Sequence, residues 1–176
     1  MSSPSSFSSA RARFTFATLV VLATGCSSLE LGPEWRPLRR IQESQALSLG
    51  LSAGGARTIG TTVYVPNLSG FLKKNPEPKL SAVLGHERVH AVRQLEAGHA
   101  EWISRYMTDT GFMWREEMLG WYHQLEHMRR HGVRYQLEGL AKALSRYRNF
   151  AGLMISERKA LEWLKQVESG VWRPQD

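Results

Sequence analysis

Five consecutive residues, His86-Glu87-Arg88-Val89-His90, match the pattern H-E-x-x-H. On a helix, positions i and i+4 share a face one turn apart, so both imidazoles can reach one metal ion. Glu87 lies about 100° round the helix from His86, too far to serve as a comfortable ligand of the same ion. It can instead hydrogen-bond a water held there. Zinc lowers the pKa of bound water from about 15.7 toward 7, and a neighbouring carboxylate can take the proton as that water attacks a polarised carbonyl. The pattern therefore implies a Zn2+ cofactor, His86 and His90 as ligands and Glu87 as the catalytic base of a metal-water hydrolase. With 6 His and 14 Glu in 176 residues, random placement yields on the order of 0.02 such matches. The competing account is a helix with two hydrogen-bonded histidines beside a glutamate. The motif sits in an apolar helix, where unpaired polar groups are costly, and that disfavours it.

A catalytic zinc site needs a third protein ligand and an open position. The extended form H-E-x-x-H-x-x-G-x-x-H is broken here, because Arg93 stands at the Gly and Glu96 at the last His. A glutamate on a following helix is the other solution, and Glu116 and Glu117 are the candidates. Trp114, Met118, Trp121, Leu125 and Met128 mark the buried face of that helix. Glu117 lies about 60° from the centre of this face and Glu116 about 160° away, on the polar side with His123 and His127. A ligand must point inward, so Glu117 is favoured over Glu116.

The elements that must position these residues follow from pattern and punctuation. One strand is expected over 58–65 (TIGTTVYV), ending at Pro66-Asn67. The motif helix is expected over 79–97, stopped by Gly98. Further helices are expected over 99–107, 112–131 before Gly132, 133–148, and 157–168 capped by Ser156. The expected fold is mostly α with a minor β element, an α+β class. Other polar groups have simpler explanations. His123, His127 and His131 repeat at helical spacing with Arg130, as a solvated face does. His99 follows a helix stop. Tyr64, Tyr106 and Tyr122 can each polarise a carbonyl, and the sequence does not choose among them. Arg129, Arg130, Arg134, Arg146 and Arg148 form a basic stretch, an exposed helical surface that can also face anionic lipid.

With its motif in place, the stretch from about 58 to 125 resembles the gluzincin-type zinc peptidases, especially small bacterial metallopeptidases. The resemblance rests on a Tyr/Val-rich strand, then H-E-x-x-H, then a Glu on a later helix. It implies a zincin-like helical domain and a peptide or protein substrate. Larger members follow their Glu by an Asp four residues on. Here that position holds Trp121 after Glu117, or Gly120 after Glu116.

The N-terminus reads as an export signal. Residues 1–13 are Ser-rich with Arg11 and Arg13, residues 14–23 are an apolar run of ten, and Thr24-Gly25-Cys26 follow. Ala23-Thr24-Gly25-Cys26 is similar to a bacterial lipoprotein box, with Leu22 one place early. That similarity implies a signal peptide over 1–25, Cys26 as a lipidated first mature residue, and a membrane-anchored protein in the cell envelope. Residues 26–57, mixing Ser, Gly and Pro with isolated apolar residues, are expected to be a tether with a possible short helix over 38–47. Residues 58–176 are then the catalytic domain.

Composition sets the outer bounds. The chain is 42% hydrophobic, enough for a real core, and its single Cys excludes an internal disulfide framework. The net charge of +7 comes with no nucleic-acid-binding motif, so no nucleic-acid partner is expected. Three functions compete: an envelope zinc peptidase, a metal-binding envelope lipoprotein without turnover, and a small helical interaction module without metal. Oligomeric state is not readable.

Overall fold

A computed structural model of the chain describes residues 27–47 and 55–175. The expected signal peptide over 1–25 and the lipidation site Cys26 lie outside the described residues. Within them the chain is mostly helical with a small sheet, an α+β arrangement.

The first surprise is the segment expected to be a tether. It contributes two strands, β1 (Ser28–Glu30) and β2 (Arg40–Glu43), and the helix expected over 38–47 does not form. Tertiary packing decides this. Leu38 and Ile41, isolated apolar residues in the sequence, are fully buried. The backbone of β2 pairs antiparallel with β1 on one side and parallel with β4 (Thr62–Val65) on the other. The strand expected over 58–65 is a hairpin instead, β3 (Arg57–Ile59) and β4, in register Ile59↔Thr62. Gly60, at φ +60°, turns the chain there, as the first residue of a two-residue hairpin loop does. The sheet order is β1-β2-β4-β3.

A short helix, α1 (Leu68–Lys74), follows and was not expected. Asn67 caps it by accepting from the Gly70 N–H at 2.6 Å, and Phe71 anchors it in the core. The motif helix α2 (Lys79–Ala97) has the expected bounds. Gly98, at φ +84°, separates it from α3 (His99–Thr108). Asp109 starts the long helix α4 (Thr110–Arg130), accepting from the Phe112 N–H at 2.9 Å. The helix expected over 133–148 shrinks to α5 (Leu137–Leu144). Its last residues enter a small hairpin, β5 (Arg148–Asn149) and β6 (Gly152–Leu153). The last helix, α6 (Glu157–Glu168), is capped by Ser156 as expected.

Two hydrophobic clusters hold these elements. The first joins the sheet, α1 and α2 through Ile41, Val63, Val65, Phe71 and Leu84. The second joins α4, α5 and α6 through Trp121, Leu125, Leu144, Trp163 and Leu164. Helices α2 and α4 pack against each other and so connect the two clusters. The functional candidates lie at that seam.

Candidate metal centre

Successive turns of α2 bring His86 and His90 onto one face, with their Nε2 atoms 3.0 Å apart. From α4, Glu117 meets them. Its Oε2 is 3.6 Å from His86 Nε2 and its Oε1 is 3.4 Å from His90 Nε2. All three residues are buried. They are the one group of at least three His, Cys, Asp or Glu among the described residues that can hold a metal ion. Ligand atoms 2.0–2.1 Å from a tetrahedral zinc stand roughly 3.3 Å from one another; the nearest pairs here are 3.0, 3.4 and 3.6 Å apart through one or the other carboxylate oxygen, and one ligand atom from each residue lies within 4.8 Å of the others. Glu117 Oε2 is buried without a hydrogen-bond partner. Two imidazole nitrogens facing each other beside an orphaned carboxylate oxygen is costly in a core unless a cation joins them. Two imidazoles and a carboxylate can hold a metal ion, zinc among them.

The preference for Glu117 over Glu116 agrees with this placement, but the surroundings expected for Glu116 were wrong. It is not on a solvated face. It is 1% exposed and receives a two-pronged pair from Arg93, at 2.5 Å from Nε and 2.8 Å from Nη2. The close packing of α2 on α4 explains it: the long Arg93 side chain crosses the interface and lets a carboxylate be buried on α4 apart from the His86–His90–Glu117 cluster.

Glu87 points elsewhere on α2. Its Oε2 accepts a 2.7 Å hydrogen bond from Thr58 Oγ1 on β3. Thr58 is itself fixed by Gln94, which donates to the Thr58 carbonyl at 2.9 Å and accepts from the Gly60 N–H at 2.8 Å. One side chain of α2 thus fastens the β3–β4 hairpin to the helix that carries the histidines. Neither Thr58 nor Gln94 was singled out in the sequence; nothing in a lone Thr or Gln marks it.

Gly120 is a third residue that went unrecognised. A Cβ there would stand 2.7 Å from His86 Cδ2 and Nε2. Only glycine lets the imidazole lie against the α4 backbone. Glycine inside a helix costs about 0.5–1 kcal/mol relative to Ala, so its place three residues after Glu117 was a readable signal.

Aromatic rings enclose the site. Tyr106 donates to Glu117 Oε1 at 2.5 Å, which singles it out from the three candidate tyrosines. Tyr64 lies in β4 opposite Gln42, and Tyr122 packs on Trp172. Trp102 stacks on Tyr106 at 4.8 Å and lies 5.6 Å from the His90 ring, while Trp121 meets His86 edge-on at 5.5 Å. Trp121, four residues after Glu117, offers the His86 ring an apolar contact. His99, His123 and His131 are exposed, and His127 stacks on His131 at 4.1 Å. None of them joins the cluster.

Burial governs the electrostatics. It is the main reason that the His86 pKa falls to about 4 and that of Glu87 rises. Burial opposes charge on Glu117 as well. There the hydrogen bond from His90 and the charges of both histidines outweigh it and bring the carboxyl to about 2. For His90 too, burial is outweighed by the hydrogen bond and charge of Glu117, so its pKa rises. No family model, no curated protein and no solved structure matches this chain.

Proposed function

We propose that this chain is a zinc-dependent hydrolase acting on peptide bonds, with a zincin-like site of the gluzincin kind. One observation carries the reading: His86, His90 and Glu117 converge at ligand spacing while Glu87 stands beside them, outside the ligand set and held by its own hydrogen bond. Zinc in that site supplies Lewis acidity and eases the deprotonation of water there. Tyr106 holds Glu117 Oε1, leaving Oε2 free to bind. Thr58 holds Glu87 Oε2, leaving Oε1 to accept a proton from the attacking water and return it to the leaving amine. The Trp102–Tyr106 stack and Trp121 keep bulk water from the ligands.

The test is Glu87→Gln on a mixed peptide panel, with bound metal measured in parallel. Gln keeps the size and the hydrogen bond but cannot accept the proton. Zinc content and melting temperature should be unchanged and hydrolysis should fall about 10²–10⁴-fold. Loss of zinc would make Glu87 a ligand, and unchanged hydrolysis would place the activity at another site.

One observation favours a second reading, a metal-holding protein without turnover. The Nδ1 atoms of both histidines have no hydrogen-bond partner among the described residues, whereas metal-ligating imidazoles usually donate theirs to an orienting group. A parent chain that binds zinc yet cleaves nothing on the panel would select it. We further propose that the protein is exported and held in the cell envelope by lipid on Cys26. Intact mass of the protein made in a bacterium should show an acylated terminus at Cys26, and an unmodified terminus downstream would rule the anchor out.

A further inference from the structure

The β5–β6 hairpin displays apolar side chains that the fold leaves uncovered. Phe150 is 83% exposed and Leu153 is 55% exposed. The display is not slack chain. Asn149 accepts from the Ala151 N–H at 2.9 Å, which shapes the turn, and donates to the Tyr106 carbonyl at 2.9 Å, which ties the turn to α3. The Phe150 N–H donates to the Met107 carbonyl at 2.9 Å. The backbone is thus fastened on both sides of the phenyl ring while the ring itself projects outward. Charge around it is one-sided. Residues 145–159 hold four bases, Arg146, Arg148, Arg158 and Lys159, against one acid, Glu157, all exposed; Arg158 is paired with Glu162 on α6, which leaves Arg146 and Arg148 as the bases next to the tip. An ordered tip with an aromatic and an aliphatic side chain, beside the exposed Arg146 and Arg148, is complementary to a surface that is apolar beneath an anionic layer.

We propose that this hairpin docks on an anionic phospholipid bilayer, with Phe150 and Leu153 entering the headgroup–acyl boundary and Arg146 and Arg148 engaging lipid phosphates. The proposal does not depend on hydrolase activity or on lipidation of Cys26. The tip does bear on the metal centre, since Tyr106 links Asn149 to Glu117, and docking would set that centre close to the membrane plane.

The test must read the hairpin itself, because residues 14–23 are apolar and can bring the full chain to a vesicle unaided. Cys26→Ser removes the only thiol. In the full chain carrying it, Ala151→Cys places an environment-sensitive fluorophore at the tip, and Ser69→Cys places one on α1 as a control. Vesicles of three parts phosphatidylcholine to one part phosphatidylglycerol should shift the emission at 151 to the blue and leave 69 unchanged. Vesicles of phosphatidylcholine alone should give a weaker response. Phe150→Ser in the tip-labelled chain should raise the lipid concentration for the half-maximal shift about tenfold or more, as expected for loss of a buried phenyl group. Both positions are exposed, and unchanged circular dichroism confirms that the variants fold. Water-like emission at 151 on vesicles that sediment the protein would overturn the proposal, as would equal shifts at 151 and 69. A shift at 151 that grows with protein concentration in the absence of lipid would assign the tip to a second copy of the chain instead.

Discussion

Three neighbours on α4 separate proposed ligand, support and space in this site. Glu117 contributes the carboxylate, Glu116 binds Arg93, and Gly120 leaves room for the His86 ring. Alanine at each position therefore gives a different outcome. Glu117→Ala removes a ligand and should cost more zinc affinity than the roughly 10–100-fold typical of a supporting residue. Glu116→Ala should leave zinc affinity unchanged and lower stability by about 1–3 kcal/mol, since a buried acceptor of a charged pair is lost while Arg93 keeps some solvent. Gly120→Ala should keep the fold and weaken zinc about tenfold or more, because the new methyl group displaces the imidazole. Zinc titration and thermal melts on the three proteins check the ranking. Zinc loss in Glu116→Ala with none in Glu117→Ala would reverse the ligand assignment. Much of this level was legible in advance. The spacing of His86 and His90 fixes their shared face, and the apolar residues of α4 point Glu117 inward. The supporting residues were not, because the roles of Thr58, Gln94 and Arg93 arise from contacts between elements far apart in the chain.

The elements were legible where local chemistry ends them and illegible where only packing does. Gly98 stops α2 and Ser156 starts α6, and both bounds fell where expected. The stretch 58–65 is β-branched apart from Gly60 and the equally strand-favouring Tyr64, so the turn inside it looked like part of a strand. Residues 145–148 continue a plausible helical pattern, but α5 ends at Leu144 and contacts with α3 hold Arg148 and Asn149 in β5 instead. Helix α4 carries Glu117, the proposed third ligand, and its start has a cap whose worth varies with pH. The backbone N–H of Phe112 is the main cause of the lowered pKa of Asp109. A carboxyl whose folded value is depressed below its unfolded value stabilises the fold fully above the unfolded value. It loses that contribution as pH falls through the folded one. The difference in melting temperature between the parent and Asp109→Ala should therefore hold steady at neutral pH. It should narrow only once pH drops below the ordinary value of 3.8. A gap that closes between pH 7 and 5 would assign the effect to another group.

At the scale of the molecule, the segment 27–47 decides what the folded unit is. Its composition resembles a linker, and a tether between a membrane anchor and a domain starting at 58 was the natural expectation. The structure instead gives β2 an interior place in the sheet, between β1 and β4, and covers Ile41 and Leu38 completely. Short strands of this kind lack the length to show periodicity. Their identity comes from partners, here Val63 and Val65 on β4, which share one cluster with Ile41 and with Leu84 of α2. Stability of that cluster bears on function through Thr58 and Gln94, which fasten the β3–β4 hairpin to α2 and to Glu87. Ile41→Ala should thus destabilise the protein by about 2–5 kcal/mol, the range for truncating a fully buried isoleucine. A chain beginning at residue 58 loses β1, β2 and the first residue of β3, and exposes Val63 and Val65. It should show no cooperative melt and bind zinc poorly even with His86, His90 and Glu117 intact. Under the tether account both changes would be silent. A chain from 58 that melts like the parent and retains its zinc would restore that account and detach β1 and β2 from the functional unit.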